Sequence, residues 1–272
     1  MNWGRVKTVL IILFLATDIF LLGIYLTSMH SSSTISDEVI ADTVTALGNN
    51  KITVNPDIIP KKVQRAPYAE AENVMTDYET FAKNLLGDNI QKIDYGYESP
   101  LGKVTFYGDR FNYTSTTDHF AFGNANAISD SNALEELVAT NLKRYSFDLS
   151  SATASTKKQE DGYTITFENS VNSLPFFNSK VVAVLSKSGE CSLSGIWFNQ
   201  TESTGSDIEF KRVTSALIEF IPQLPEGCEI VKIETGYNIF DKESFHKSAT
   251  LIPVWHITCK DGSTYLLDAR NM

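Results

Sequence analysis

The sequence is poor in the residues that build metal centres. It contains four histidines and three cysteines, and His256 and Cys259 form an H-x-x-C pair. Side chains three residues apart on a strand point to opposite faces of the sheet, so this pair cannot readily share one ion. Because no second pair completes a four-ligand zinc site, the sequence predicts no metal centre.

The cysteines do not form a disulfide framework either. Their number is odd, so Cys191, Cys228 and Cys259 cannot all pair within one chain. Cys191 and Cys259 each fall in a strand-like stretch, which favours buried free thiols over the alternative, a Cys228–Cys259 bridge. So low a cysteine content in an external domain is typical of Gram-positive bacteria, in which secreted proteins often lack disulfides.

An excess of positive charge is also absent. The chain carries 23 Lys and Arg against 33 Asp and Glu, a net charge of −10 at pH 7. Nucleic acids and anionic lipid headgroups attract basic surfaces, so neither is a predicted partner. The 16 Phe, 11 Tyr and 3 Trp residues supply ample apolar material for a core, which excludes a disordered tail.

Catalytic motifs are missing as well. The sequence has no G-x-S-x-G elbow, no G-x-x-x-x-G-K-[ST] loop and no G-x-G-x-x-G turn, which are signatures of serine hydrolysis and of phosphate or dinucleotide binding. Adjacent carboxylates such as Glu135 and Glu136 fall in a solvated helical pattern. We therefore expect no catalytic residue, no cofactor and no enzymatic activity.

One long apolar run is present near the N-terminus. Residues 9–26 are apolar except for Thr17 and Asp18, and about 20 apolar residues span a hydrocarbon core of ~30 Å. Arg5 and Lys7 flank only the N-terminal side of this run, and basic flanks favour the cytoplasm. The run therefore predicts a helix that crosses the membrane with its N-terminus inside the cell.

A signal peptide is the competing interpretation of this run. Such a peptide has an apolar core of roughly 7–15 residues and a small-x-small cleavage site. The run is longer and no Ala-x-Ala follows it, so an uncleaved anchor is favoured. We predict a cytoplasmic tail at residues 1–8, a transmembrane helix at 9–27 and an extracellular remainder, in the cell membrane of a Gram-positive bacterium.

Asp18 lies near the middle of the predicted transmembrane helix. A charged residue there costs about 2.5–3.5 kcal/mol on insertion. The favoured interpretation is a polar contact with a transmembrane helix of a partner, and the side chains predicted to share this contact are Phe14, Thr17 and Leu21. The alternative is a protonated Asp18 that forms a hydrogen bond within its own helix, with Thr17 nearby.

The chain beyond this helix begins with a polar stretch. Residues 30–51 have a weak helical pattern, and residues 55–67 carry three prolines, which is typical of an extended linker. We therefore expect a stalk and linker at residues 28–67 and compact structure from Tyr68 onward.

From Tyr68 onward, helical and strand-like patterns follow one another. Apolar residues at steps of three and four predict helices at 69–86, from 129 onward and at 208–221. Strand-like runs are predicted at residues 90–97, 102–107, 110–115, 119–122, 153–158, 163–169, 179–186, 191–199, 228–240, 249–259 and 263–269. A helix followed by antiparallel hairpins is an α+β unit. We predict repeated units of this kind, in an α+β region at 68–205 and a C-terminal α+β unit at 206–272.

One predicted loop carries three large apolar side chains. Leu174, Phe176 and Phe177 lie just before a predicted strand, where burial is not guaranteed. They are the candidates for an extracellular partner-binding surface, and the alternative is a loop folded back over the core. Trp197 and Trp255 are expected in the core.

Both ends of the sequence resemble one known family. The stretch MNWGRVKT at residues 1–8 leads directly into an apolar helix with an acidic residue, and PVWHI at 253–257 is followed by a hairpin and YLLDA at 265–269. On these residues the chain resembles the YycI family over essentially its whole length. The Pro-Val-Trp hairpin is shared with extracellular modules of the PepSY type.

The resemblance implies a non-enzymatic role. Proteins of this family are membrane-anchored regulators that act, with the companion protein YycH, on the sensor histidine kinase WalK (also called YycG), which governs cell-wall metabolism. It implies contacts through transmembrane helices, pairing with the external domain of YycH, and a PepSY/YycH-like α+β fold. The alternative function is an extracellular module that binds a wall fragment or a peptide and has no kinase partner.

Overall fold

The computed structural model describes residues 3–32, 34–115, 130–187, 190–240 and 248–271. The strand expected at residues 119–122 lies outside these ranges.

Three helices of the folded body begin at polar capping residues. The side chains of Ser36, Asp77 and Asp130 each accept a hydrogen bond from a backbone N–H in the helix that follows, which satisfies a donor that the helix itself leaves unpaired. The helices are α1 (Trp3–Ser32), α2 (Asp37–Asn49), α3 (Tyr78–Leu86), α4 (Ser131–Arg144) and α5 (Val213–Phe220), with 3-10 turns at Pro56–Ile58 and Ile221–Gln223.

Most predicted strand runs contain a described strand, but they differ from the structure in several places: a turn at residues 94–95 divides the run predicted at 90–97, residues 65–73 form a strand that was not predicted, and the run predicted at 191–199 is two strands, the second of which extends to residue 209. The described strands are β1 (Thr53–Val54), β2 (Arg65–Asn73), β3 (Gln91–Ile93), β4 (Gly96–Ser99), β5 (Gly102–Tyr107), β6 (Arg110–Ser115), β7 (Thr153–Gln159), β8 (Gly162–Val171), β9 (Leu174–Ser186), β10 (Cys191–Ile196), β11 (Phe198–Glu209), β12 (Glu229–Asn238), β13 (Ser248–Thr250), β14 (Ile252–Cys259) and β15 (Thr264–Asp268). The mixed α+β class is thus confirmed.

The strands assemble into one large sheet and one small sheet. Within the described residues, β7-β8-β9-β10-β6-β5-β4-β3 lie side by side and antiparallel. The strands β1-β12-β14-β15 continue this sheet through a single parallel pairing of Tyr237 in β12 with Phe176 in β9. In the small sheet, β2 lies between β11 and β13. The large sheet therefore crosses the expected boundary at residues 205 and 206, and the repeated units and the domain limits remain predictions.

The helices lie on the sheet and bury its apolar side chains. Helix α3 contacts β4 and β5, α4 contacts β7, and α5 contacts β15. Beneath α3, the ring of Phe81 packs against Phe106, Phe111 and Phe147 at centroid distances of 5.1–6.1 Å. Such aromatic clusters stabilise a core through both buried area and edge-to-face contacts.

Two predicted helices are shorter than expected, because the residues at their N-terminal ends form strands. Residues 69–73 belong to β2, where Ala69, Ala71 and Asn73 are buried at the two-residue period of a strand. Likewise, Ile208 lies in β11, and α5 begins only at Val213. In both cases the pairing partner is distant in sequence: β2 pairs with β11, and Phe210 with Arg270.

The expected stalk differs most from the structure. Ile40 and Leu47 of α2 are buried, and α2 packs against α5. The segment after it pairs in parallel with the start of β12, with Thr53 opposite Glu229. The weak helical pattern was therefore correct as a helix, but its apolar stripe covers the folded body instead of leading away from it. Residues 37–67 thus pack on the folded body, and the limits expected for a stalk and linker at 28–67 remain a prediction.

The cysteines also correct an expectation. Cys228 and Cys259 form a disulfide with a Cα–Cα distance of 5.9 Å, and Cys191 is a buried free thiol. Cys228 directly precedes β12 and Cys259 ends β14, and these two strands are antiparallel neighbours. The sheet register therefore brings together two residues whose spacing in the sequence gave no sign of pairing.

Candidate functional sites

Helix α1 presents a continuous face that includes the polar residues of the apolar run. Its segment Val6–Gly23 is long and apolar enough to cross a membrane, and none of it is buried within the chain. Positions three and four apart share a face of a helix, so Phe14, Asp18 and Leu21 lie on one side, with Thr17 at its margin. The hydroxyl of Thr17 donates to the carbonyl of Leu13 at 2.8 Å, so it is already engaged within its own helix.

We expect Asp18→Leu to weaken regulation partially. An intramembrane hydrogen bond contributes ~0.6 kcal/mol on average, which corresponds to about a threefold change in an equilibrium. The measurement is the output, in cells, of the sensor kinase that the family resemblance implies, at matched amounts of wild-type and variant protein. Phe20→Leu, on the opposite side of α1, is the control and should leave the output unchanged. Equal output from wild type and Asp18→Leu would remove Asp18 as a contact residue.

The segment of Leu174, Phe176 and Phe177 is the start of strand β9, so the predicted loop is wrong. Phe176 is 2% exposed and its ring packs 5.5 Å from that of Phe198, which places it in the core. Leu174 is half-buried and packs against the core. The alternation of a strand sends Phe176 and Phe177 to opposite faces, so of these two only Phe177 reaches the surface.

Phe177 lies in a slot between two neighbouring strands. Its ring centroid is 4.4 Å from that of His256 in β14. A Cβ added at Gly236 of β12 would fall 2.4 Å from this ring, so only glycine permits the approach. Glu234 is the cross-strand partner of His256, with 3.6 Å between a carboxylate oxygen and Nδ1 of His256. These contacts fix the Phe177 ring at the junction of the two parts of the large sheet.

No described helix covers one face of the large sheet along β5 and β6. In β5 and β6, the inward residues are buried under α3, while Lys103, Tyr107, Arg110, Asn112 and Thr114 are exposed on the other side. We name this side the open face; across β10, β9 and β8 it continues with Ser192, Ser194, Lys180, Val182, Val184, Thr164, Thr166 and Glu168.

A cleft of about 400 Å³ opens on this face beside Phe177. We name it the open-face cleft, and its lining includes Tyr107, Arg110, Asn112, Phe177, Asn178, Lys180 and Ser194. Sequence reasoning identified Phe177 alone of these residues. The alternation GKVTFYGDRFNYTS at residues 102–115 puts Tyr107, Arg110 and Asn112 on one face, and this signal could have indicated them.

Both tryptophans expected in the core are there. Trp197 and Trp255 are 0% and 1% exposed, and each indole N–H donates to a backbone carbonyl, of Asp148 at 3.2 Å and of Lys211 at 2.8 Å. In the H-x-x-C pair of His256 and Cys259, the cysteine forms the disulfide with Cys228. No group of three or more metal-binding side chains occurs in the part of the chain that the structure describes.

Comparison with known proteins decides the family. The family model named "YycI protein" matches residues 30–270. The chain belongs to the YycI family. The match includes the PVWHI stretch. It begins at residue 30, so it contains only the last three residues of α1. YycI proteins are non-catalytic regulators associated with the WalK/YycG two-component system and with YycH, and membership together with α1 indicates a single-pass regulatory membrane protein.

The other two comparisons add little to this assignment. No curated protein matches the chain. Among solved structures, this YycI protein is similar to an uncharacterized protein from Eubacterium rectale ATCC 33656, with 12% sequence identity and a TM-score of 0.45, over 88% of this chain and 97% of that one.

Proposed function

We propose that this protein binds a sensor histidine kinase of the WalK/YycG type, together with a YycH-like companion, and modulates the activity of the kinase. The system it serves controls cell-wall metabolism. The N-terminus lies in the cytoplasm, α1 crosses the membrane, and the folded body lies outside the cell. Membership of the YycI family, in a chain whose α1 can cross a membrane, carries this proposal.

The energetics require the proposed contact with the kinase to involve both α1 and the folded body. A regulator shifts a kinase only through different affinities for its two states, and couplings of roughly 1–3 kcal/mol change activity about 5–150-fold. A single intramembrane hydrogen bond from Asp18 contributes ~0.6 kcal/mol, which is below this range. Packing of Phe14 and Leu21 against the partner helix and contacts of the folded body must therefore supply the larger share.

We expect crosslinking in native membranes, read by mass spectrometry, to capture a histidine kinase and a YycH-like protein with the wild-type chain. In a matched chain, an unrelated apolar helix replaces residues 9–27. Loss of the kinase from this chain assigns recognition to α1, and its retention assigns recognition to the folded body.

A wild-type chain that captures neither protein, at normal abundance in the membrane, would overturn the proposal. The alternative, a module that binds a wall fragment or a peptide without a kinase, would then be favoured, and the open-face cleft beside Phe177 is the place where such a ligand would bind.

A further inference from the structure

We propose that the open-face cleft binds an oligosaccharide that carries a carboxylate group. The inference rests on four features. Two belong to the cleft: an arginine that forms no ion pair with a described carboxylate, and a set of polar side chains. The other two lie beside it: a stacked pair of exposed tyrosines, of which Tyr107 lines the cleft and Tyr95 does not, and backbone strain at Tyr95. It does not depend on the proposed contact with the kinase.

Arg110 supplies the site for the negative charge. It is exposed in a chain of net charge −10, and no carboxylate among the described residues forms an ion pair with it. Lys180, the other cation of the cleft, is paired with Glu168 at 2.7 Å. An arginine guanidinium binds a carboxylate through two parallel hydrogen bonds, so Arg110 is the residue that fits a carboxylate ligand.

The tyrosines supply a flat apolar surface. Tyr95 and Tyr107 are 76% and 58% exposed, and their rings stack with centroids 6.3 Å apart and planes 21° apart. Tyr107 lies directly opposite Arg110 in the β5–β6 hairpin. Stacked aromatic rings exposed to water are a feature of binding surfaces, and the apolar C–H face of a pyranose ring can pack on them.

The backbone at Tyr95 is strained. Its φ is +61°, in the left-handed region that costs roughly 1–2 kcal/mol for a residue with a Cβ. Glycine would relieve this cost in the two-residue turn between β3 and β4. Such strain occurs at ligand sites, and here it accompanies the placement of the Tyr95 ring against that of Tyr107.

Polar side chains complete the cleft beside the tyrosines. Asn112 lies opposite Ser194 across β6 and β10, and both line the cleft. The Oδ1 of Asn178 accepts a hydrogen bond from the backbone N–H of Ile239 at 2.7 Å, which fixes this side chain and leaves its Nδ2 as a donor. Amide and hydroxyl groups such as those of Asn112, Asn178 and Ser194 can form hydrogen bonds with the hydroxyl groups of a sugar.

The position of the cleft favours a sugar over an extended peptide. Peptides that add to a sheet pair with the free backbone groups of an edge strand. The cleft lies on the face of β5, β6, β9 and β10, whose backbones are paired on both sides, so recognition must come from side chains. An aromatic platform with one arginine and several amides suits a carboxylate sugar.

The test is saturation-transfer NMR on the full chain in lipid nanodiscs, with empty nanodiscs as the blank. The first probe is the disaccharide of N-acetylglucosamine and N-acetylmuramic acid, whose lactyl group ends in a carboxylate. Digalacturonate carries the same group on another sugar, diacetylchitobiose lacks it, and an acidic tetrapeptide represents the other class of ligand. We expect binding of a carboxylate sugar, with affinity at least about tenfold above that of diacetylchitobiose. Comparison of the first two probes then identifies the source of the sugar.

Matched variants locate the binding. Arg110→Ala and Tyr107→Ala should each weaken it at least about tenfold, while Tyr107→Phe, which keeps the ring, and Lys103→Ala, a cation on the same face outside the cleft, should leave it within about threefold. Tyr95→Gly should bind more weakly and melt no lower than wild type, because it removes both the ring and the strain.

Three outcomes would overturn the inference: diacetylchitobiose binding as tightly as the acidic sugars, binding of the peptide alone, or no binding of either acidic sugar. Capture of the kinase by the same chain in the crosslinking experiment would show that the regulatory proposal stands independently.

Discussion

We expect loss of the Cys228–Cys259 disulfide to lower the melting temperature of the folded body by about 6–16 °C. The bridge closes a loop across a sequence separation of 31 residues, and the entropy of closing a loop of this size is worth about 3–4 kcal/mol. It joins the start of β12 to the end of β14. Its loss therefore also removes a covalent constraint next to the pairing of β1 with β12. The variant is Cys228→Ser combined with Cys259→Ser.

The measurement is thermal unfolding of the full chain with and without reductant. Wild type and Cys191→Ala should both melt lower when reduced, and the double variant should melt at the same temperature in both conditions. Thiol titration of the denatured, unreduced chain should find one free thiol, that of Cys191. Burial raises the pKa of this thiol to about 12, so in the native state it should react far more slowly than an exposed cysteine. Three titratable thiols in the secreted or membrane-inserted protein would contradict the bridge.

The second large effect is expected for Trp255→Ala, at about 3–5 kcal/mol of destabilisation. The indole is 1% exposed, packs edge-to-face on Phe210 at 6.4 Å, and donates to the carbonyl of Lys211 at 2.8 Å. These contacts hold β14 to the segment that leads into α5. Removing the side chain leaves a cavity between the sheet and this segment, and a buried carbonyl without its donor.

Chemical denaturation followed by tryptophan fluorescence measures this effect. Trp255→Phe keeps most of the volume and loses the hydrogen bond, so it should cost only about 1–2 kcal/mol. Trp3→Phe is the control, because Trp3 is 67% exposed on α1 and its replacement should not change the free energy of unfolding. A Trp255→Ala variant within about 1 kcal/mol of wild type would show that the sheet and α5 are held together by other contacts.

Local patterns in the sequence predicted much of the fold. Strands β5 and β6 have the predicted bounds, because their alternation is regular and a Gly-containing turn separates them. Helix α3 ends before Gly87, whose φ of +79° supplies the predicted stop. The predictions failed where pairing is non-local. The C-terminal end of β2 was predicted as the start of a helix, yet its backbone partners in β11 lie more than a hundred residues away.

Among the candidate site residues, too, those with a local signal could be predicted from the sequence, and those brought together by strand pairing could not. Asp18 is visible in the sequence because an acidic residue stands out in an apolar run, and α1 needs no tertiary contact to display it. Phe176 and Phe177 looked equivalent in the sequence, and only the pairing of β9 with β8, β10 and β12 buries the one and brings the other to the cleft. Arg110 and Asn178 lie on strands far apart in sequence, so their convergence could not be foreseen.

The sequence by itself determined the membrane helix, the mixed α+β class and the YycI family, because apolar length, side-chain periodicity and short motifs are local properties of the chain. Only the tertiary structure decided the disulfide, the packing of α2 on α5 and the open-face cleft. Each of these depends on which strands or helices become neighbours, and that choice is set by the burial of apolar area over the whole chain.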